Sequence, residues 1–192
     1  MDRGRLEAFS DGVLAIVITI MVLEMKVPHG TDWPALGALW PVLLSYVLSF
    51  IYIGIYWNNH HHLMAAAKRI DGTIMWANLH LLFWLTLVPF ATGWMGENHF
   101  APVPTALYGF VLLMAAITYW LLQGRILAQH PAESALRREF KRDWKGELSP
   151  LLYLSAICAA FYRPWIAWSL YALVAAIWVV PDKRIERALA AK

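Results

Sequence analysis

Residues 72–96 read GTIMWANLHLLFWLTLVPFATGWMG, and none of them is Asp, Glu, Lys or Arg. An α-helix needs roughly 20 mainly apolar residues to cross about 30 Å of hydrocarbon. The stretch 79–90 does not alternate polar with apolar, as a strand of a membrane barrel must. In lipid, backbone polar groups must bond one another, so the run reads as helix. The pattern recurs along the chain. Acidic and basic residues are also absent from 33–67 and 98–124, and from the shorter runs 148–162 and 164–181. Composition agrees, with 60% of the 192 residues hydrophobic and 15% charged. Soluble domains are nearer about 45–50% apolar and about 25% charged. Eleven tryptophans suit the two water–lipid boundaries of a membrane protein.

These runs predict an all-α, polytopic membrane protein with six transmembrane helices. The spans fall at about 6–27, 41–61, 73–94, 103–123, 149–162 and 164–180, in one domain covering 1–192. Pro28 and Gly30 punctuate the first span, Gly93 and Gly96 the end of the third. Ser149 and Pro150 read as a cap and N1 proline opening the fifth. Residues 150–162 give only about 20 Å at 1.5 Å per residue. That helix therefore begins earlier or sits at the periphery, and one kinked helix over 148–180 would make five spans instead. Arg163-Pro164 favours a turn. No cleavable leader is evident, so the first apolar segment is expected to be retained.

Charge bears on the count. With six spans, 14 of the 16 Lys and Arg residues, all but Lys26 and Arg163, fall on one side. Basic flanks favour the cytoplasm, so both termini are expected there, with the chain in the cell membrane. Five spans would send Lys183, Arg184 and Arg187 outside. The charged stretch 132–147 reads as a short surface helix. Its basic residues suit a loop near anionic lipid better than nucleic acid. Cys158, the lone cysteine, reads as a small core residue.

The polar residues inside the spans carry the functional question. Asp11 precedes the most apolar part of the first span. It either anchors the helix at headgroup depth or joins a polar network in the bundle, with Arg5, His60 or His61 as partner. Asn58, Asn59 and Asn78 are expected to bond across helices. Adjacent helical residues point about 100° apart, so His60-His61-His62 cannot easily share one ion and no tightly bound metal is expected. No HExxH, CxxC, P-loop or dinucleotide glycine pattern occurs. An enzyme, a cofactor and a small-molecule substrate all lack support. Ile16, Ile20 and Leu23 share one face at i, i+4, i+7, and Thr19 lies on the adjoining strip. The stripe is either ordinary packing or the lining of a cation path gated by dewetting, since Asp11 and Glu24 bracket it.

The run Arg5-Leu6-Glu7-Ala8-Phe9-Ser10-Asp11 and its continuation to Leu23-Glu24 resembles the signature of the transmembrane-protein-175 family of potassium channels, in its prokaryotic single-repeat form. Tyr56-Trp57-x-Asn59-His60, Trp76-x-Asn78-Leu79 and Pro89-Phe90-x-Thr92 add to the likeness. It covers the first three spans by motif and the rest by length and hydropathy. The resemblance implies a homotetramer of six-span subunits among membrane lipids, with the first helix of each lining a central pore and potassium as the permeant species. It puts the constriction on Ile16, further apolar layers on Ile20 and Leu23, and a selectivity role on Thr19. It makes Arg5, Phe9, Ser10 and Asp11 the motif that secures the first helix, with Trp57 and His60 as its partners. The family lacks the carbonyl filter of ordinary potassium channels, and no Thr-Val-Gly-Tyr-Gly occurs here. The alternatives are a small secondary or proton-coupled transporter using Asp11, a membrane enzyme, or a non-conducting scaffold.

Overall fold

A computed structural model describes residues 2–140 and 143–180, and every regular element among them is a helix. In chain order these are α1 (Arg3–Leu23), α2 (Trp33–Gly37), α3 (Trp40–Ala66), α4 (Gly72–Thr86), α5 (Val88–Glu97), α6 (Pro102–Leu127), α7 (Ala135–Phe140), α8 (Trp144–Ala160) and α9 (Pro164–Val179). Among the described residues, α1, α3, the α4–α5 pair and α6 are long and apolar enough to cross a membrane, and α9 is a shorter apolar helix. Lys183, Arg184 and Arg187, which entered the charge argument, lie outside the described residues.

The bounds correct several expectations. Helix α1 starts and ends earlier than 6–27, and α3 and α6 run beyond residues 61 and 123. The expected span 73–94 is two helices offset at Leu87. Pro89 has no N–H for the Leu85 carbonyl, so the backbone shifts register there and Leu87 N–H reaches back to Trp84 at 3.2 Å. Helix α4 is capped by Asp71, whose carboxylate accepts from the Thr73 hydroxyl at 2.6 Å and the Ile74 amide at 3.0 Å. Those two donors hold the Asp71 carboxyl below its ordinary value.

Helix α8 is the larger correction. Its cap is Asp143, accepting from Gly146 N–H at 3.2 Å, and not Ser149. Pro150 sits inside the helix rather than at its first position. A Cβ at Gly146 would meet the Asp143 carboxylate at 2.5 Å, so a larger residue there would push the capping side chain aside. The 17 residues of α8 reach about 25 Å. Cys158 is exposed on this helix, not in the core, while Ala156 and Ala160 turn inward.

Helix α6 is the centre of the packing, with α4, α5, α8 and α9 against it, whereas α1 rests mainly on α3, α4 and α5. Small residues set the closest approaches. A Cβ on Gly96 would fall 2.8 Å from the Val42 backbone. At the same end, Lys26 and Glu97 pair at 2.8 Å, and this partner holds the Lys26 ammonium above its ordinary value. The turn into α6 uses two left-handed residues, His99 (φ 51°) and Phe100 (φ 58°).

Candidate functional site

Helix α1 has two unlike faces. Leu6, Ser10, Leu14, Val17 and Met21, spaced 4, 4, 3 and 4, are buried against the subunit. On the other side Ile16 is 58% exposed, Ile20 40% and Leu23 76%. Thr19 is exposed beside them, its hydroxyl donating to the Ala15 carbonyl at 2.8 Å. Ile16 and Ile20 also edge an open groove of about 380 Å³ whose far wall is Thr86, Pro89 and Phe90.

The buried face is fixed by a chain of polar contacts. The Ser10 hydroxyl donates to the Leu6 carbonyl at 2.9 Å. Its one proton thus spent, Ser10 Oγ accepts from Asn78 Nδ2 at 2.9 Å. That orients the amide and leaves Asn78 Oδ1 facing His60 Nε2 at 2.7 Å. His60 must therefore carry a hydrogen on Nε2, a tautomer assigned by the network. Ser10, His60 and Asn78 are all buried, so each hydrogen bond replaces water that is absent. One chain links α1, α3 and α4.

Of the partners expected for it, Asp11 meets Trp57, which the resemblance named, and not those read from placement alone. The Trp57 indole N–H donates to Asp11 Oδ1 at 3.0 Å, and no hydrogen bond or ion pair joins Asp11 to Arg5, His60 or His61 among the described residues. One residue past Ser10, Asp11 is turned about 100° to the rim of the buried face, where Trp57 stands. His60 is already engaged with Asn78. Arg5 is exposed and makes no ion pair among the described residues, and Phe9 is half exposed. Arg3 instead takes the Ala65 carbonyl at 3.3 Å and lies 3.9 Å from Glu7.

The other histidines and asparagines sort differently. The rings of His61 and His62 meet edge-on at 5.6 Å, and no group of three metal-binding side chains occurs among the described residues. Asn59 bonds its own helix, Nδ2 to the Ile55 carbonyl at 2.8 Å, and Asn58 makes no cross-helix bond among the described residues. Asn78 does bridge helices, and it is the middle of the chain. Sequence reasoning left it out of the site, although an amide inside the uncharged run 72–96 was the available signal. A second buried knot joins α3, α5 and α6: Ser49 to Thr92 at 2.7 Å and to Tyr108 at 3.0 Å.

With that geometry in place, likeness to known proteins becomes informative. The family model described as endosomal/lysosomal potassium channel TMEM175 matches residues 5–89. A potassium channel of Chryseobacterium sp. (strain P1-3) is 53% identical over 189 residues, 98% of each chain. The chain belongs to the TMEM175 family. A potassium channel of Chamaesiphon minutus is 35% identical over 182 residues, covering 86% of this chain and 88% of that one. The crystal structure of a lysosomal potassium-selective channel TMEM175 homolog from Chamaesiphon minutus superposes with a TM-score of 0.81 at 30% identity, over 93% of this chain and 96% of that one. This TMEM175-family chain is thus a multi-pass, all-α membrane protein of a channel family, a non-enzymatic class. The matched range 5–89 contains Ser10, Asp11, Trp57, His60 and Asn78, hence every member of the polar anchor. Helices α6, α8 and α9 lie beyond it.

Proposed function

We propose that the chain is the subunit of a homotetrameric, potassium-permeable cation channel whose pore is lined by the open face of α1. The observation that carries this reading is the division of α1. One face is pinned by Ser10–Asn78–His60, and the other leaves Ile16, Thr19, Ile20 and Leu23 uncovered by the subunit. An apolar face alone would suit lipid. A carboxylate and a guanidinium do not, and Asp11 and Arg5 are both on the subunit's surface. They are six residues apart, about 120° round the helix, and in a tetramer the neighbouring copies bring opposite charges towards them. Four Ile16 side chains around an axis form a collar too narrow and apolar for a hydrated cation, and widening or rotation of α1 admits water. Thr19 hydroxyls one turn on offset part of the dehydration of a passing ion. Relatives described as potassium channels support potassium as the permeant ion.

Six spans follow if α1, α3, α4–α5, α6, α8 and α9 each cross the bilayer. The basic residues at Lys68, Arg69, Arg125, Arg137 and Arg138 then share one side with the N-terminus. Both termini are cytoplasmic in this arrangement, with the chain in the cell membrane. Ile16→Asn tests the collar. Purified protein in liposomes should pass potassium roughly tenfold faster, the effect of lowering a barrier by about 1.4 kcal/mol. Unchanged flux, with a substitution on another helix raising it, would sink the assignment. Exposed Asp11 also permits a proton-coupled carrier. Such a carrier shows fixed proton-to-cation stoichiometry, and a channel passes current with no coupled ion.

A further inference from the structure

We propose that Glu24 is the charged mouth of the conduction path, concentrating monovalent cations beyond the isoleucine collar, and that Glu97 positions this charge by drawing Lys26 away from it. The inference rests on the pore reading above and adds to it a residue and a charge arrangement.

Glu24 continues the open stripe of α1. It follows Ile20 by four residues, which puts it about 40° round and about 6 Å along the helix. Its amide still bonds the Ile20 carbonyl at 3.1 Å, so the helical turn carries through it. It lines the same groove as Ile16 and Ile20. Glu24 is exposed, and its carboxylate makes no hydrogen bond or ion pair among the described residues. In a four-fold assembly, four such carboxylates surround the axis about 12 Å along it from the Ile16 layer. A ring of acidic side chains favours cations, and charges of one sign in a low-dielectric cleft raise the local counter-ion concentration.

A lysine two residues away could cancel that charge. The chain leaves the helix after Glu24, however, and Lys26 Nζ reaches Glu97 at the end of α5, at 2.8 Å. Glu97 acts on the Lys26 ammonium more strongly than Glu24 does. The backbone around Glu97 is well held. Gly96 lies against the Val42 backbone, and Phe100 N–H closes the turn on the Met95 carbonyl at 3.0 Å. The cation is thus kept on the subunit's own wall, and Glu24 keeps its charge. An exposed pair of this kind adds little stability. What it determines is where the charges lie. His99 shares the groove beside Lys26 and Glu97, so the imidazole must be neutral when the pair is tested.

The test is potassium conductance of the purified protein in planar bilayers of neutral lipid, at about pH 8, where an ordinary imidazole is neutral. Recordings at about 10 mM and about 1 M salt change the Debye length from about 30 Å to about 3 Å. Glu24→Gln should lower conductance roughly three- to tenfold in the dilute salt and hardly at all in the concentrated salt, and Glu24→Asp should restore it. Glu97→Gln releases Lys26 toward Glu24 and should lower conductance similarly. Removing the lysine as well, in Lys26→Gln/Glu97→Gln, should bring it back. Asp32→Asn removes a charge from the same outer segment, keeps a capping side chain for α2 and frees no lysine, so its effect should be smaller. Glu24→Gln conducting like the wild type in dilute salt, or falling equally in both salts, overturns the role of Glu24. Equal falls in Asp32→Asn and Glu97→Gln overturn that of Glu97. Ile16→Asn separates this proposal from the collar. If it raises flux while Glu24→Gln changes nothing, the collar stands and the charged mouth fails. If it changes nothing while Glu24→Gln lowers conductance in dilute salt alone, the charged mouth stands without the collar.

Discussion

Helices α1 and α6 are comparably apolar and both long enough to span a bilayer, yet their surroundings differ. In its most apolar window α6 is 56% buried within the subunit, and α1 only 28%. Hydropathy therefore places a helix in the membrane without saying what it faces. Helix α6 packs against α3, α4, α5, α8 and α9 and leaves a narrower stripe, through Phe110, Ile117 and Leu121, uncovered. Helix α1 is held along one stripe and left open along the other, and the open side carries Asp11 and Thr19 as well as isoleucines. A core helix and a helix awaiting a partner can share one composition. What separates them is where the small and polar residues fall.

Glycines give the strongest way to break that contrast. A Cβ on Gly109 in α6 would run into the Tyr171 hydroxyl, which donates to the Thr105 carbonyl at 3.1 Å. Gly109→Leu should therefore abolish recovery of monodisperse protein, since overpacking costs about 1–3 kcal/mol or more and a buried hydrogen bond is lost with it. Around Gly12 in α1 there is open space within 4 Å. Gly12→Leu should leave the subunit fold intact, with its effect confined to assembly. Equal losses in size-exclusion yield and in far-ultraviolet circular dichroism of the monomer would erase the distinction between the two helices.

The next largest effect concerns what holds α1. Asn78→Leu strands the His60 Nε2 hydrogen and leaves Ser10 without its donor. Unmade buried hydrogen bonds of this kind cost about 1–3 kcal/mol each. Amide exchange along α1 should speed up while α6 stays protected. Ser10→Ala on top of Asn78→Leu should add little, because the two residues act through one chain. Additive losses would show that the chain is not a unit.

How far the sequence could be read follows the same division. The open stripe was legible because Ile16, Ile20 and Leu23 repeat at helical spacing and the Arg5–Asp11 motif sits just before them. The anchor was half legible. Ser10 and His60 were expected to secure α1, but Asn78 lies 68 residues from Ser10, and nothing local says which buried amide completes a chain. Asp11 was paired with Trp57 by a rotation of one residue round α1, a detail that spacing alone leaves open. The start of α8 was misread because Ser149-Pro150 has the local form of a cap. Asp143 caps the helix instead, Ser149 bonds back to the Lys145 carbonyl inside it, and an interior proline is tolerated in a helix supported by neighbours. The offset at Leu87 was hidden because Pro89 falls inside an unbroken apolar run.

The smallest effect sharpens the comparison most, because it uses one residue type in both helices. Thr19 in α1 donates to the Ala15 carbonyl at 2.8 Å, and Thr118 in α6 to the Met114 carbonyl at 2.9 Å. Each hydroxyl is satisfied by its own helix, and the freed carbonyl in either valine variant keeps its backbone partner. Thr19→Val and Thr118→Val should accordingly fold alike, with little change in thermal stability. They should differ in ion discrimination. If Thr19 meets a partly dehydrated cation, bi-ionic reversal potentials in Thr19→Val should shift by about a twofold change in permeability ratio, equivalent to about 0.4 kcal/mol. Thr118→Val, buried away from the open face, should leave them where they were. A shift in Thr118→Val alone would move the conduction path from α1 to the interior of the subunit, and no shift in either would leave selectivity to the isoleucine collar.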